Sequence, residues 1–122
     1  MRVDRPVAVV DDDAAACAAM IDLVSAMGFT AIGFVSALTF LRSDHFRRVC
    51  CVITDMRMAA MGGLELCRCL VAAGNPVPAI LITAYPDDAT RLQARSLGVY
   101  AYLAKPCDPE ELLQALRSIL AS

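Results

Sequence analysis

Side chains that could do chemistry stand at the ends of several short apolar runs in this chain. Asp11 and Asp12 follow the first run, Asp55 follows the third, Thr83 ends the fourth, and Lys105 lies just past the fifth. Carboxylates can ligate a hard cation or accept a phosphoryl group, while an amine and a hydroxyl can stabilise the charge of a phosphoryl group during its transfer. These residues can act together only if the fold brings the ends of the runs to one place.

The five apolar runs predict β-strands, because each is short and is bounded by turn or polar residues. They cover residues 7–10, 31–35, 50–54, 79–83 and 99–103. Most are hydrophobic nearly throughout, which is typical of strands in a parallel sheet that helices cover on both faces.

The segments between the runs predict helices. Apolar residues recur at i, i+3, i+4, i+7 and i+10 from Cys17, and Gly28 then supplies a C-terminal stop. Asp108, followed by Pro109, is an N-cap for the last helix. The other three helices are predicted to begin at a Ser36 cap, to span 64–73 before Gly74, and to span about 87–97 before Gly98.

Five alternations of strand and helix predict an α/β fold: a doubly wound, flavodoxin-like, five-stranded parallel sheet in the order 2-1-3-4-5, with five helices on both faces. We expect a single domain over residues 1–122. In this order the first and third strands are neighbours, so Asp11, Asp12 and Asp55 converge at the edge where such folds bind ligands.

Three carboxylates without His or Cys select a hard cation, and Mg²⁺ is the predicted cofactor because it uses few carboxylates and leaves room for a phosphoryl oxygen.

The composition argues against several functional classes. Lys plus Arg number 11 and Asp plus Glu number 13, a net charge of −2, which does not favour nucleic-acid binding by this domain alone. The chain is 58% hydrophobic, but its apolar runs are short and no signal peptide is visible, so we expect a cytoplasmic protein that does not enter the membrane. The six cysteines are interpreted as reduced thiols that act as small hydrophobic side chains.

Four motifs, in order along the chain, resemble those of the receiver domains of bacterial two-component response regulators, and the resemblance covers essentially all 122 residues. The motifs are Val10-Asp11-Asp12-Asp13, Thr54-Asp55-Met56-Arg57-Met58 with Gly63 eight residues beyond Asp55, Ile82-Thr83-Ala84, and Tyr102-Leu103-Ala104-Lys105-Pro106.

The resemblance implies which residues bind the phosphoryl group and the metal. Asp55 is the implied phosphoacceptor. Asp12 is an implied direct ligand of Mg²⁺, Asp11 a ligand partly through water, and Asp55 and the main-chain carbonyl of Arg57 complete the protein ligands. Asp13, by contrast, is interpreted as an N-cap of the first helix.

The resemblance also implies a switch. Thr83 and Lys105 contact the phosphoryl group in this family, and the Lys105-Pro106 peptide bond is usually cis. Tyr102 matches an aromatic side chain that turns inward as the Thr83 hydroxyl moves toward the phosphate. The fourth helix contains few large apolar residues, so we expect it to be held weakly and to shift. The candidate residues for the partner-binding or dimerisation face are Arg91, Arg95, Tyr102 and Asp108.

Two positions depart from the family pattern. Ala59 stands where many receivers have Pro, which predicts a freer loop between Asp55 and Gly63. Cys107 stands where a Phe often follows Lys-Pro, which removes apolar area under the final helix. Neither change alters the residues that carry the chemistry.

The function expected from these observations is a phosphorylation-dependent signalling switch, not an enzyme with an external substrate. A sensor histidine kinase, a phosphotransfer protein or a small acyl phosphate is the expected donor to Asp55. One alternative is a haloacid-dehalogenase-like phosphatase, which normally needs a second Asp where this chain has Arg57. The other is an interaction module that works without phosphorylation. His45 is interpreted as an exposed loop residue, neither a phosphodonor nor a ligand.

Overall fold

The computed structural model describes residues 5–75 and 77–121. Strands and helices alternate along the chain. The strands are β1 (Val7–Val10), β2 (Ala31–Phe34), β3 (Cys51–Asp55), β4 (Ala79–Thr83) and β5 (Ala101–Ala104). The helices are α1 (Ala14–Ala26), α2 (Ala37–Leu41), α3 (Gly63–Ala72), α4 (Asp88–Ser96) and α5 (Pro109–Ala121).

The strands form one sheet in the order β2-β1-β3-β4-β5, and every neighbouring pair is parallel. This confirms the predicted doubly wound arrangement. The end of α4 explains why β5 begins two residues later than expected. Gly98 has a φ of +80°, and the Val99 amide donates to the Ala94 carbonyl at 3.0 Å, so Val99 belongs to the helix cap and not to the strand.

The predicted N-caps are present at the starts of α1 and α2. The Asp13 carboxylate accepts from the amides of Ala15 and Ala16 at 3.0 and 3.2 Å, which confirms it as the N-cap of α1. The Ser36 hydroxyl accepts from the Thr39 amide at 3.0 Å at the start of α2. These caps fix where each helix leaves the carboxyl edge of the sheet.

Two apolar layers enclose the sheet. On one face, side chains of α1 and α5 such as Val24 and Leu116 pack against β-strand residues such as Ile53. On the other face, Phe40 of α2 and Leu66 of α3 pack against β1 and β3. The core of the fold therefore lies on both sides of the central strands, and the strand ends are left for the site.

The α4 helix contributes least to these layers. Ala94 is its one buried residue, and Leu92 is 63% exposed. This agrees with the expected weak attachment of the helix, since little apolar area holds it to the sheet.

The loop residue His45, the buried cysteines and the lengths of the helices bear on further predictions. His45 is half-buried and its ring packs edge-on against Phe34 at 6.1 Å, so the expectation of an exposed residue is wrong. Cys51 and Cys67 are buried, and burial raises the pKa of both thiols, that of Cys67 to about 11, so they stay protonated and act as hydrophobic side chains. Within residues 5–75 and 77–121, the helices are too short or too polar to cross a bilayer.

Candidate functional site

The register of the sheet brings the predicted site residues to one edge. Val10 of β1 pairs with Thr54 of β3, so the residues that follow them, Asp11 and Asp55, stand level with each other. On the other side of β3, β4 ends at Thr83. Thr83 in turn pairs with Ala104, the residue before Lys105. The carboxyl ends of four strands, β2 excepted, therefore carry the site.

Three carboxylates form a cluster at this edge. One oxygen from each of Asp11, Asp12 and Asp55 lies within 4.8 Å of the other two. Asp11 is buried, Asp55 is half-buried and Asp12 is exposed, so the cluster opens to solvent through Asp12. Hard oxygen donors with an open side fit Mg²⁺, which retains several waters when it binds protein. Burial raises the pKa of Asp11, and the charges of Asp55 and Asp12 add to that effect against a lowering by the Asp13 amide.

Lys105 supplies the positive charge at the cluster. Its Nζ lies 3.0 Å from Asp55 Oδ1 and 3.9 Å from Asp11 Oδ2. Burial works to lower the pKa of Lys105, but the hydrogen bond to Asp55 and the nearby carboxylate charges outweigh it and raise the pKa, so the ammonium group stays charged. The chain places this lysine through a backbone hydrogen bond, in which the Lys105 amide donates to the Thr83 carbonyl at 2.8 Å. The Lys105-Pro106 peptide bond that follows is cis, as expected.

Thr83 brings a buried hydroxyl to the same edge. The residue is 2% exposed, and its Oγ1 accepts from the Tyr85 amide at 3.1 Å. A hydroxyl that accepts one hydrogen bond can still donate its own proton. Thr83 is therefore suited to donate to an anionic oxygen that enters the site.

Two arginine side chains near the site each lie over an aromatic ring. The Arg57 guanidinium lies 5.0 Å from the centroid of the Tyr85 ring, and Tyr85 is 68% exposed. The Arg91 guanidinium of α4 lies 4.8 Å from the centroid of the Tyr102 ring in β5. The sequence indicated Arg57, Arg91 and Tyr102 as candidate residues but not these two contacts, because each contact joins residues that only the folded chain brings together.

Tyr102 is half-buried and is tied to the start of α4. Its hydroxyl accepts from the Asp87 amide at 3.4 Å. The Asp87 carboxylate caps α4 by accepting from the amide and the hydroxyl of Thr90 at 2.8 and 2.9 Å, and these bonds lower its pKa. Tyr102 thus joins the fifth strand to the weakly packed fourth helix.

The loop between β3 and α3 contacts the acid cluster at Asp12. Its Ala59 amide donates to Asp12 Oδ2 at 2.8 Å, a contact that sequence reasoning missed because it examined side chains and this donor is a backbone group. The loop ends at Gly63, where an added Cβ would lie 2.5 Å from the Asp55 carbonyl oxygen and 2.6 Å from Leu81 Cδ2. Only glycine fits at that close approach.

A cleft of about 400 Å³ extends from the acid cluster between α1 and the segment that precedes α5. Its walls are mostly apolar and include Ala16, Ala19, Met20 and Cys107. The small side chains of α1 and the thiol at 107 leave this space open, in agreement with the apolar area that the sequence predicted to be missing there.

A family model described as the response regulator receiver domain matches residues 7–117. The chain belongs to this family. The receiver is 37% identical over 113 residues to the response regulator protein TodT of Pseudomonas putida, a match that covers 92% of this chain and 49% of that protein. It is 33% identical over 115 residues to the transcriptional regulatory protein FixJ of Azorhizobium caulinodans, with 94% and 54% covered. The chain thus spans about half the length of these curated relatives.

Solved structures agree with this assignment. The crystal structure of a response regulator receiver protein from Pseudomonas putida has a TM-score of 0.82 and 31% identity, and the match covers 93% of this chain and 97% of that one. Membership implies a part in phosphorylation-dependent signalling, and receiver domains generally bind Mg²⁺ at an acidic pocket. The acid cluster described above has the position and the donor set for that ion.

Proposed function

We propose that this receiver is a phosphorylation-dependent switch in which Asp55 accepts a phosphoryl group from a sensor histidine kinase, a phosphotransfer protein or a small acyl phosphate. The observation that carries the proposal is the arrangement around Asp55. Its carboxylate lies 3.0 Å from the Lys105 ammonium group, and one of its oxygens lies within 4.8 Å of oxygens of Asp11 and Asp12. Thr83, with its buried hydroxyl, ends the neighbouring strand β4 at the same edge of the sheet. An acidic residue that only capped a loop at the end of a strand would not require a lysine and two further carboxylates beside it.

In the proposed reaction, a carboxylate oxygen of Asp55 attacks the phosphorus of the donor. A P–O bond to Asp55 forms as the donor's bond to phosphorus breaks, and the donor's leaving group takes the electron pair of that bond. Lys105 and Thr83 are positioned to stabilise the charge on the oxygens of the group in transfer. The lysine must release Asp55 Oδ1 to do so, and its fixed backbone keeps it within reach.

Asp11, Asp12, Asp55 and the main-chain carbonyl of Arg57 are the residues that would hold Mg²⁺. When bound, the ion neutralises charge on the carboxylates and on the phosphoryl oxygens. Burial raises the pKa of Asp11, and the charges of Asp55 and Asp12 raise it further. The repulsion among these charges is what an ion at this place would relieve.

The output of the proposed switch runs through Tyr102. When the Thr83 hydroxyl turns toward the phosphoryl group, Tyr102 turns inward and leaves the Asp87 amide and the Arg91 guanidinium. The start of α4 then loses two contacts, and so little else packs this helix that its position can change. The α4, β5 and α5 surface, with Arg91, Arg95 and Asp108 among its residues, is the proposed partner-binding or dimerisation face.

The test is intact-mass spectrometry after incubation with acetyl phosphate and Mg²⁺. The native chain should gain one phosphoryl group, a mass of about 80 Da, and EDTA should prevent the gain. Asp55→Asn should show no gain, while Asp22→Asn, which removes an exposed carboxylate of α1, should be modified like the native chain.

The alternative functions predict other results. Mg²⁺ binding without an adduct, together with turnover of p-nitrophenyl phosphate, would favour the phosphatase. That outcome is disfavoured by Arg57, which stands at the position of the second Asp and stacks on Tyr85. Absence of both the adduct and Mg²⁺ binding would favour an interaction module that works without phosphorylation.

A further inference from the structure

The loop between β3 and α3 makes a direct hydrogen bond to one of the candidate metal ligands. The Ala59 amide donates to Asp12 Oδ2 at 2.8 Å, across 47 positions of sequence. A proline at residue 59 would have no N–H and could not make this bond. The contact therefore depends on the residue by which this chain departs from the common receiver pattern.

Of the three carboxylates in the cluster, Asp12 is the one whose orientation is least fixed by burial or by other contacts. Asp11 is buried and receives a hydrogen bond from the Asp13 amide at 3.0 Å, and Asp55 is half-buried and paired with Lys105. Asp12 is exposed, so its side chain would otherwise rotate in solvent. The bond to Ala59 uses Oδ2 and leaves Oδ1 for a cation.

We propose that the Ala59 backbone N–H positions the Asp12 carboxylate for divalent-cation binding and so couples the conformation of the β3–α3 loop to occupancy of the metal site. This inference rests on the metal site of the proposed function. Hydrogen bonds from a neighbouring group to a metal ligand fix the ligand's orientation, and their loss typically costs ten- to a hundredfold in metal affinity. Because the coupling is reciprocal, a cation that holds Asp12 in place also stabilises the bond to Ala59.

The coupling reaches from the metal site into the apolar core through the same loop. Met58 and Met61, on either side of Ala59, pack against the layer formed by α2 and α3. Met56 packs against a smaller apolar cluster that includes Leu64 of α3 and Ala94 of α4. A change at Asp12 is thus transmitted to side chains on the face of the sheet opposite α1 and α5.

A simpler role for Ala59 predicts the opposite result. If the residue mattered only because alanine leaves the loop freer than proline, Ala59→Pro would pre-organise the loop and strengthen Mg²⁺ binding, and Ala59→Gly would weaken it. If the N–H is the positioning group, Ala59→Pro weakens binding and Ala59→Gly, which keeps the N–H, leaves it nearly unchanged. The two variants therefore separate the explanations by the direction of the effect.

The experiment is a calorimetric Mg²⁺ titration of the full chain, with Ala59→Pro and Ala59→Gly as the matched pair. We expect Ala59→Pro to bind about tenfold more weakly or worse, and Ala59→Gly to bind within about twofold of the native chain. Equal or tighter binding by Ala59→Pro, with Mg²⁺ bound by the native chain, overturns this inference and leaves the proposed function standing. No binding by the native chain overturns the proposed metal site and this inference together.

Amide hydrogen exchange at Ala59 tests the same bond without a proline. In the native chain, exchange of the Ala59 amide should slow when Mg²⁺ is added, because cation binding holds Asp12 in the accepting position. In Asp12→Ala, which removes the acceptor, exchange should be faster in EDTA and should not respond to Mg²⁺. An Ala59 amide whose exchange is the same in both proteins overturns the inference, even if Ala59→Pro fails to fold.

Discussion

The Arg57 guanidinium stacks on the Tyr85 ring at 5.0 Å, and this contact links the loops that follow β3 and β4. Arg57 lies two residues beyond Asp55, and Tyr85 lies two residues beyond Thr83. The Tyr85 amide also donates to Thr83 Oγ1, so the ring is attached at its backbone to the candidate phosphoryl-binding hydroxyl. If Asp55 accepts a phosphoryl group as proposed, we expect this stacked pair to flank the path by which water approaches it.

Replacement of Tyr85 by Ala should therefore speed hydrolysis of the proposed acyl phosphate. The substitution keeps the backbone N–H that Thr83 accepts but removes the stacked ring. An exposed cation–π contact contributes about 0.5–1 kcal/mol, so the expected increase in the decay rate is about two- to fivefold. The measurement is loss of the phosphoryl mass over time after the donor has been removed. Tyr100→Ala is the matched control, since Tyr100 is also exposed and makes no contact with Arg57 among those described, and an unchanged rate in Tyr85→Ala would contradict the shielding role.

Substitution of Asp11 by Asn should stabilise the metal-free fold at neutral pH. Burial raises the pKa of Asp11, so folding favours its protonated form. The stability that the folded state gains from this preference is fully present below the ordinary pKa of about 3.9. It is lost as the pH rises through the higher pKa that Asp11 has in the folded state. Asn removes the buried charge and keeps an oxygen for the Asp13 amide.

Asp11→Asn should raise the free energy of unfolding at pH 7, measured by urea denaturation in EDTA. The gain should shrink as the pH falls from 7 toward 4, because the native carboxyl then becomes protonated as well. In saturating Mg²⁺ the order should reverse, since the native chain gains binding free energy that the variant lacks. A gain that does not depend on pH would point to packing and not to charge.

The sequence predicted the topology, and the residues that gather at the carboxyl edge of the sheet, for identifiable physical reasons. The order of strands and helices was visible in short apolar runs, and the residues at the carboxyl edge were visible because polar side chains follow buried strands there. Asp11, Asp12, Asp55 and Lys105 lie together as expected, and Thr83 ends the neighbouring strand at the same edge, since the position of each depends on where its strand ends.

Features that depend on loop conformation or on backbone groups were not predicted. The Ala59 donor is an N–H that every residue except proline has, so no residue type marks it. The start of β5 was placed too early because Val99 is apolar, although its amide belongs to the cap of α4. His45 was placed in solvent because a single imidazole in a polar loop gives no sign that Phe34 will pack against it.

Gly63→Ala should destabilise the fold, because a Cβ there would lie 2.5 Å from the Asp55 carbonyl oxygen. Backbone at the end of a central strand cannot yield as a side chain can, so we expect a loss of about 1–3 kcal/mol in the free energy of unfolding. Gly33→Ala is the matched control. Its Cβ would meet Ile21 Cδ1 at 2.6 Å and Cys17 Sγ at 3.0 Å, both of them side-chain atoms, and the substitution also gains β-propensity, so urea denaturation should show a smaller loss than Gly63→Ala. If the two variants lost equal amounts of free energy of unfolding, the close approach of Gly63 to the Asp55 carbonyl oxygen would not be the cause of the loss.

Cys107→Phe should stabilise the fold by filling the cleft between α1 and the segment that precedes α5. The cleft holds about 400 Å³ and is lined mostly by apolar side chains, among them Ala16, Ala19 and Met20. Filling such a space commonly contributes about 0.5–2 kcal/mol. Urea denaturation of Cys107→Phe and of Cys107→Ala measures the effect, with no gain expected for alanine. A loss of stability in Cys107→Phe would mean that the ring does not enter the cleft.

The α4 helix should exchange its amide hydrogens faster than α1 or α5. Ala94 is its one buried residue, while α5 buries Leu112, Leu116 and Ile119. Local opening of a helix costs less when less apolar area is exposed by it, and exchange rates report that cost directly. Exchange followed by mass spectrometry should therefore show the 88–96 segment exchanging before 109–121 in EDTA. Leu112→Ala is the control that should accelerate exchange in α5, and protection of α4 equal to that of α5 in the native chain would contradict the proposed mobility of the output face.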